Sequence, residues 1–130
     1  MPAFFKNYKT YETPATPNVL GIYLLGKVAA DMNKIGISAI RKKTDEKAKS
    51  VYKFLEKSEF YEPFVENPTH RSQTVIVANT KKPSAEIINK LKEKNIILGG
   101  GYGANKDNQI RIANFPAISE EKMEMLLSLL

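Results

Sequence analysis

The stretch from Val19 to Met32 is apolar on nearly every side, and no other feature of the chain restricts its fold as much. Read as a helix over residues 17–33, it carries Val19, Leu20, Ile22, Tyr23, Leu24, Leu25, Val28, Ala29, Ala30 and Met32. Only Asn18, Lys27 and Asp31 form a thin polar strip. A helix apolar almost all round is buried on most sides. In a chain of 130 residues that burial requires a second surface, either a partner subunit or a further domain. A membrane is not that surface, because the apolar run ends at Lys27, short of the ~20 residues a span needs. The entry to the helix is Thr13-Pro14-Ala15-Thr16-Pro17-Asn18. Thr16 fits as the capping residue and Pro17 as the first helical residue, where its missing N–H costs nothing. A helix start also presents free N–H groups and a positive dipole end, which makes Thr16 a candidate anion contact.

The chain length suits one domain with a proper core. Residues 1–16 read as an extended arm, with Phe4, Phe5, Tyr8 and Tyr11 in no sustained period, and residues 17–130 as the domain. The N-terminus has no apolar block that would serve as a signal peptide, so a cytoplasmic location is expected. With no cysteine, disulfides and thiolate metal sites are excluded. The net charge of +6 is spread over helices. Its only runs are Arg41-Lys42-Lys43 and Lys81-Lys82, without the interleaved aromatics of a nucleic-acid surface, so no nucleic-acid partner is expected.

A second helix is predicted over residues 38–57, with Ile40, Ala48, Val51, Tyr52 and Leu55 on one face and Lys42, Lys43, Asp45, Glu46, Lys49 and Lys53 on the other. Glu46 is placed to pair with Ser50 or Lys49. Residues 60–67, with Pro63, read as loop or short edge strand. Thr74-Val75-Ile76-Val77-Ala78 is a β-branched run and a strand. A third helix opens at Pro83-Ser84 and runs to about Asn95. Ile96-Ile97-Leu98 reads as a short strand stopped by three glycines, and Gln109-Ile110-Arg111-Ile112-Ala113 as a strand of period two. Ser119 caps a last helix with Met123, Leu126, Leu127 and Leu130 inward. The expected class is α+β: long helices, then a small mixed or antiparallel sheet of three or so strands with helices on one face.

The loop Gly99-Gly100-Gly101-Tyr102-Gly103 satisfies a loose dinucleotide-binding spacing, but a strand follows it rather than a helix. Its glycines fit φ > 0 turns and close backbone approach, leaving room for a small substrate. In the last strand Arg111 faces away from Ile110 and Ile112. An arginine there is either a solvent-face residue or a clamp that holds a carboxylate through two N–H groups. His70 is the only histidine and has no partners for a metal site or a catalytic triad. The residues present do not amount to a complete active site.

Three segments in order resemble the class V, fold-type I aminotransferases, which use pyridoxal phosphate. They are Thr13-Pro14-Ala15-Thr16-Pro17-Asn18-Val19 with Ile22-Tyr23-Leu24-Leu25-Gly26, then His70-Arg71-Ser72-Gln73-Thr74-Val75-Ile76-Val77, and finally Gly101-Tyr102-Gly103 with Ile110-Arg111-Ile112-Ala113-Asn114-Phe115-Pro116. The likeness is greatest to the phosphoserine-aminotransferase branch and to its C-terminal small domain with the linking helix. It implies that Thr16 meets the cofactor phosphate across a homodimer and that Arg111 binds the substrate α-carboxylate, and it secures no role for His70 or Arg71. It also implies amino acid and 2-oxo acid substrates. The Schiff-base lysine such chemistry needs has no match here, and neither Lys6 nor Lys9 lies in a matching context. The chain then reads as the C-terminal third of such an enzyme, catalytically inert by itself and binding pyridoxal phosphate weakly. The alternative is a non-catalytic α+β module that binds a small acid through Arg111 and the glycine loop.

Overall fold

The computed structural model describes residues 10–13 and 15–130. Residues 1–9 and Pro14, most of the expected arm with Lys6 and Lys9, lie outside them. The chain divides into two compact units, Met1–Ile37 and Ser38–Leu130. In the first unit, helix α1 spans Val19–Ile35. Its start differs from the expectation: Asn18, not Thr16, is the cap, and its Oδ1 accepts the Gly21 N–H at 2.9 Å. An Asx side chain one residue after Pro17 reaches the first free N–H groups more directly than a threonine before the proline. Pro17 therefore precedes the helix, and its carbonyl accepts the Val19 N–H at 2.9 Å. Gly36 closes α1 with φ +91°, a conformation that L side chains avoid. No residue of α1 is buried, and Leu20 and Leu25 are 68% and 69% exposed.

The second unit is built by helix α2 (Ile37–Lys57), strand β1 (Tyr61–Pro63), strand β2 (Val75–Thr80), helix α3 (Ser84–Lys92), strand β3 (Gly99–Gly100), strand β4 (Gln109–Ala113) and helix α4 (Glu120–Leu129). The four strands form one antiparallel sheet in the order β1-β2-β4-β3. In the register of β2 on β4, Ile76 lies opposite Ile112 and Ala78 opposite Ile110. These four residues are wholly buried and meet Ala48, Val51, Tyr52 and Leu55 of α2, Ile87 and Leu91 of α3, and Met123 and Leu126 of α4. The helices thus cover one face of the sheet, and period-two alternation in the strands gives the other face Glu62, Asn79, Gln109 and Arg111 together with Val75, Val77 and Ala113. The edge strand foreseen over residues 60–67 is β1, ending on Pro63 where no ladder donor is needed.

One strand is displaced from its expected place. Ile96-Ile97-Leu98 is not a strand: the Ile96 N–H closes back on the Leu91 carbonyl at 3.0 Å, and Ile97 is 87% exposed. Pairing with β4 begins only at Gly99, opposite Arg111. The third helix ends at Lys92, and a turn follows in which Asn95 takes φ +60°. Within α2 the Glu46 carbonyl, not its carboxylate, accepts the Ser50 hydroxyl at 3.2 Å, and the carboxylate lies 3.9 Å from Lys42.

Ser119 caps α4 as expected, its Oγ accepting the Lys122 N–H at 3.3 Å. Its hydrogen bond to Glu121 also holds that carboxyl below its ordinary value of 4.5. Ser119→Ala should lower stability by about 1 kcal/mol at neutral pH, read by urea unfolding.

Candidate functional site

Strand β4 alternates between two destinies. Ile110 and Ile112 are wholly buried in the core, and Gln109, Arg111 and Ala113 take the face without helices. On that face the register lines up Glu62, Asn79 and Gln109 across three strands. Gln109 Nε2 donates to Asn79 Oδ1 at 2.9 Å, and Asn79 Nδ2 donates to Glu62 Oε1 at 3.2 Å. The next row is Val77, Arg111 and Gly99.

Arg111 is held from several sides. Its Nε donates to the Gly100 carbonyl at 2.7 Å, and its Cζ lies 4.1 Å from the centre of the Tyr102 ring. A Cβ on Gly99 would stand 3.0 Å from Nη2 and 3.2 Å from Nε, so the guanidinium lies on the bare backbone of its cross-strand partner. The room over Gly99 is therefore filled by Arg111 itself. Gly101 is tighter still: a Cβ there would meet the Asn105 carbonyl oxygen at 2.5 Å, where the chain turns through residues 103–105 with Gly103 at φ +56°. Among the described residues no carboxylate pairs with Arg111, and none accepts from its Nη1 or Nη2. A planar cation with its Nε occupied and both Nη groups free suits a carboxylate arriving end-on.

Arg71 shows the opposite condition. Its Nε donates to the Val65 carbonyl at 2.9 Å, Nη2 to the Glu66 carbonyl at 3.2 Å, and Nη1 pairs with Glu56. Its Cζ also lies 4.9 Å from the Tyr52 ring centre. Every nitrogen is committed to holding residues 65–71 against α2. Tyr52 donates to the Ser72 carbonyl at 2.8 Å, and burial pushes its phenol up despite Arg71 nearby. His70 sits exposed at the end of a short turn, Pro68–His70, and no cluster of metal-ligating side chains occurs among the described residues.

Thr16 is exposed and lies two residues ahead of the α1 cap, in the N-terminal unit. Arg111 belongs to the second unit. Lysine chemistry is represented in the interior by Lys47 alone among the described residues. Its Nζ donates to the Phe115 and Ile118 carbonyls, at 3.2 Å to the former, and burial lowers its pKa against the opposing pull of Glu120. That amine is spent on backbone carbonyls. Side-chain pattern alone does not mark Tyr102 and Gly99 as partners of Arg111; the sign is a glycine opposite an arginine, which appears only once the register is known.

The family model for aminotransferase class-V matches residues 5–110, and the chain belongs to that family. The phosphoserine aminotransferase of Rhodococcus opacus is 31% identical over 120 residues, covering 91% of this chain and 32% of that protein. The crystal structure of a phosphoserine aminotransferase from Cytophaga hutchinsonii is 42% identical with a TM-score of 0.90, over 99% of this chain and 36% of that one. The phosphoserine aminotransferase from Bacillus circulans subsp. alkalophilus shares the fold at a TM-score of 0.80 and 21% identity, over 97% of this chain and 34% of that one. The chain thus spans about a third of the length of the relatives it matches. Family membership implies pyridoxal phosphate as the family's cofactor. The described residues do not fit that group as a complete site, since Lys47, the buried lysine among them, is tied to carbonyls.

Proposed function

We propose that this chain is the C-terminal part of a phosphoserine-aminotransferase-like enzyme, with residues 1–16 an arm leading into the domain of residues 17–130. The enzyme moves an amino group between an amino acid and a 2-oxo acid such as 2-oxoglutarate, in serine biosynthesis, as a cytoplasmic homodimer. Pyridoxal phosphate is held mainly by residues outside this chain. No residue here is catalytic. Arg111 binds the substrate α-carboxylate, and Thr16 meets the cofactor phosphate of the partner subunit. The exposed apolar surface of α1 supports a covering partner, since a patch of this kind marks an interaction surface. The observation that carries the reading is the half-buried guanidinium of Arg111 on the open sheet face, fixed at Nε and without a carboxylate of its own.

In the longer enzyme Arg111→Ala should lower kcat/KM for the amino donor by about 1–3 kcal/mol, the worth of a charge-assisted bond. Steady-state kinetics with unchanged kcat/KM would remove Arg111 from the site. The 130-residue chain should show no transaminase activity. A Schiff-base absorbance band fixed by borohydride onto one of its lysines would sink that part of the reading. The family match leaves the regulatory-module alternative without support.

A further inference from the structure

We propose that Gly99 and Tyr102 are positioning residues for Arg111, setting the plane and direction of its guanidinium before any ligand arrives. The proposal rests on the carboxylate reading of Arg111 for its purpose, but its geometry stands apart from that reading. An arginine side chain has several free torsions, and ordering it costs conformational entropy. Three contacts here remove that freedom. The Gly100 carbonyl takes Nε at 2.7 Å, which fixes the rotation of the guanidinium about its own axis. The bare backbone of Gly99 lies against the Nη2–Cζ–Nε edge, where a Cβ would come within 3.0–3.4 Å of all three atoms. The Tyr102 ring stands 4.1 Å from Cζ, at stacking distance for a cation over an aromatic face.

Tyr102 is 74% exposed, so burial of its own surface does not explain its position. What it covers is the guanidinium. With Nε bonded and a ring over a face, the Nη1 and Nη2 edge is the part of the cation left for an anion. A carboxylate meeting that edge finds the side chain already ordered, and preorganisation of this kind raises affinity by reducing the cost of binding.

Gly99 offers a clean probe. The atoms a Cβ would meet belong to the flexible end of Arg111, not to backbone, so in Gly99→Ala the guanidinium must give way by a few tenths of an ångström, and the fold should stay intact. The chain has three arginines, Arg41, Arg71 and Arg111, so their Nε–Hε signals in a ¹⁵N–¹H spectrum are separable. In the wild type the Arg111 Nε–Hε signal should be dispersed and slow to exchange. Gly99→Ala and Tyr102→Leu should each speed that exchange about 10-fold, with backbone amide spectra unchanged. Tyr102→Phe, which keeps the ring, should behave as the wild type. An Arg111 signal that exchanges at the wild-type rate in both Gly99→Ala and Tyr102→Leu overturns the proposal. Titration with 2-oxoglutarate separates the two readings. Binding that moves the wild-type Arg111 signal, and is about 10-fold weaker in the two disrupting variants, supports both. An Arg111 signal that 2-oxoglutarate leaves unmoved, with the exchange pattern above intact, removes the carboxylate role and leaves the positioning role standing.

Discussion

Asn114→Asp should be the most damaging polar substitution in the chain, lowering stability at pH 7 by about 4 kcal/mol, the range found when a buried charge loses its partner. Asn114 is wholly buried. Its Nδ2 donates to the Thr44 carbonyl of α2 at 2.9 Å and to the Gln73 carbonyl ahead of β2 at 2.8 Å. Its backbone N–H donates to the Thr74 carbonyl at 2.8 Å. One amide thus ties the end of β4 to a helix and to the entrance of the neighbouring strand. An aspartate has nearly the same shape but no donors when ionised, and would set a desolvated carboxylate against two carbonyl oxygens. Its native pKa would rise above the unfolded value of about 3.9, so the deficit grows as pH climbs from there and shrinks in acid. Urea unfolding at pH 4 and pH 7 measures the difference. Asn114→Leu, without a charge, should cost about 2–3 kcal/mol through the orphaned carbonyls, with no such pH dependence.

Lys47→Ala should cost about 3 kcal/mol, since it removes hydrogen bonds from a charged donor and the packing of a buried stem. The ammonium bridges α2 to the Phe115 and Ile118 carbonyls in the segment that leads into α4. Burial lowers its pKa from the ordinary 10.5. Between the lowered value and 10.5 the unfolded state binds more protons than the native one, so wild-type stability rises with pH across that window. Below the window Lys47 is charged in both states and the slope vanishes. In Lys47→Met, of similar length and without charge, this contribution to the slope should be absent. A wild type and a Lys47→Met variant with identical unfolding slopes in the window just below pH 10.5 would contradict the assignment.

The two residues behind these predictions show where the sequence was and was not legible. Period-two alternation in residues 109–113 was enough to put Arg111 on the open face and Ile110 and Ile112 in the core, because one residue's parity decides every neighbour's. The buried face of α2 was equally plain at Ile40, Ala48, Val51, Tyr52 and Leu55. Lys47 falls on that same face, but helical spacing cannot say that two carbonyls some 70 positions away wait for its amine. Asn114 is hidden for the same reason: its partners are backbone atoms, which leave no mark in side-chain pattern. The helix start offers two good caps, Thr16 and Asn18, and reach decides for Asn18. Ile96-Ile97-Leu98 has the composition of a strand, yet β3 forms at Gly99–Gly100, where the absence of Cβ atoms lets Arg111 lie across its partner. The family motifs carried the remainder, since they fix order and spacing that local propensity does not.

The brevity of the two outer strands has a consequence for how this chain would fail in concentrated solution. Stacking of sheets edge to edge needs a run of free ladder groups. Here β1 has three residues and ends on a proline, and β3 has two, both glycine. Neither side can seed a fibril by strand addition. The exposed apolar side chains of α1 and the 47% exposed Phe64 remain adhesive. Clumping of the isolated chain should therefore be amorphous, dispersible by mild detergent, and blind to dyes that report cross-β order.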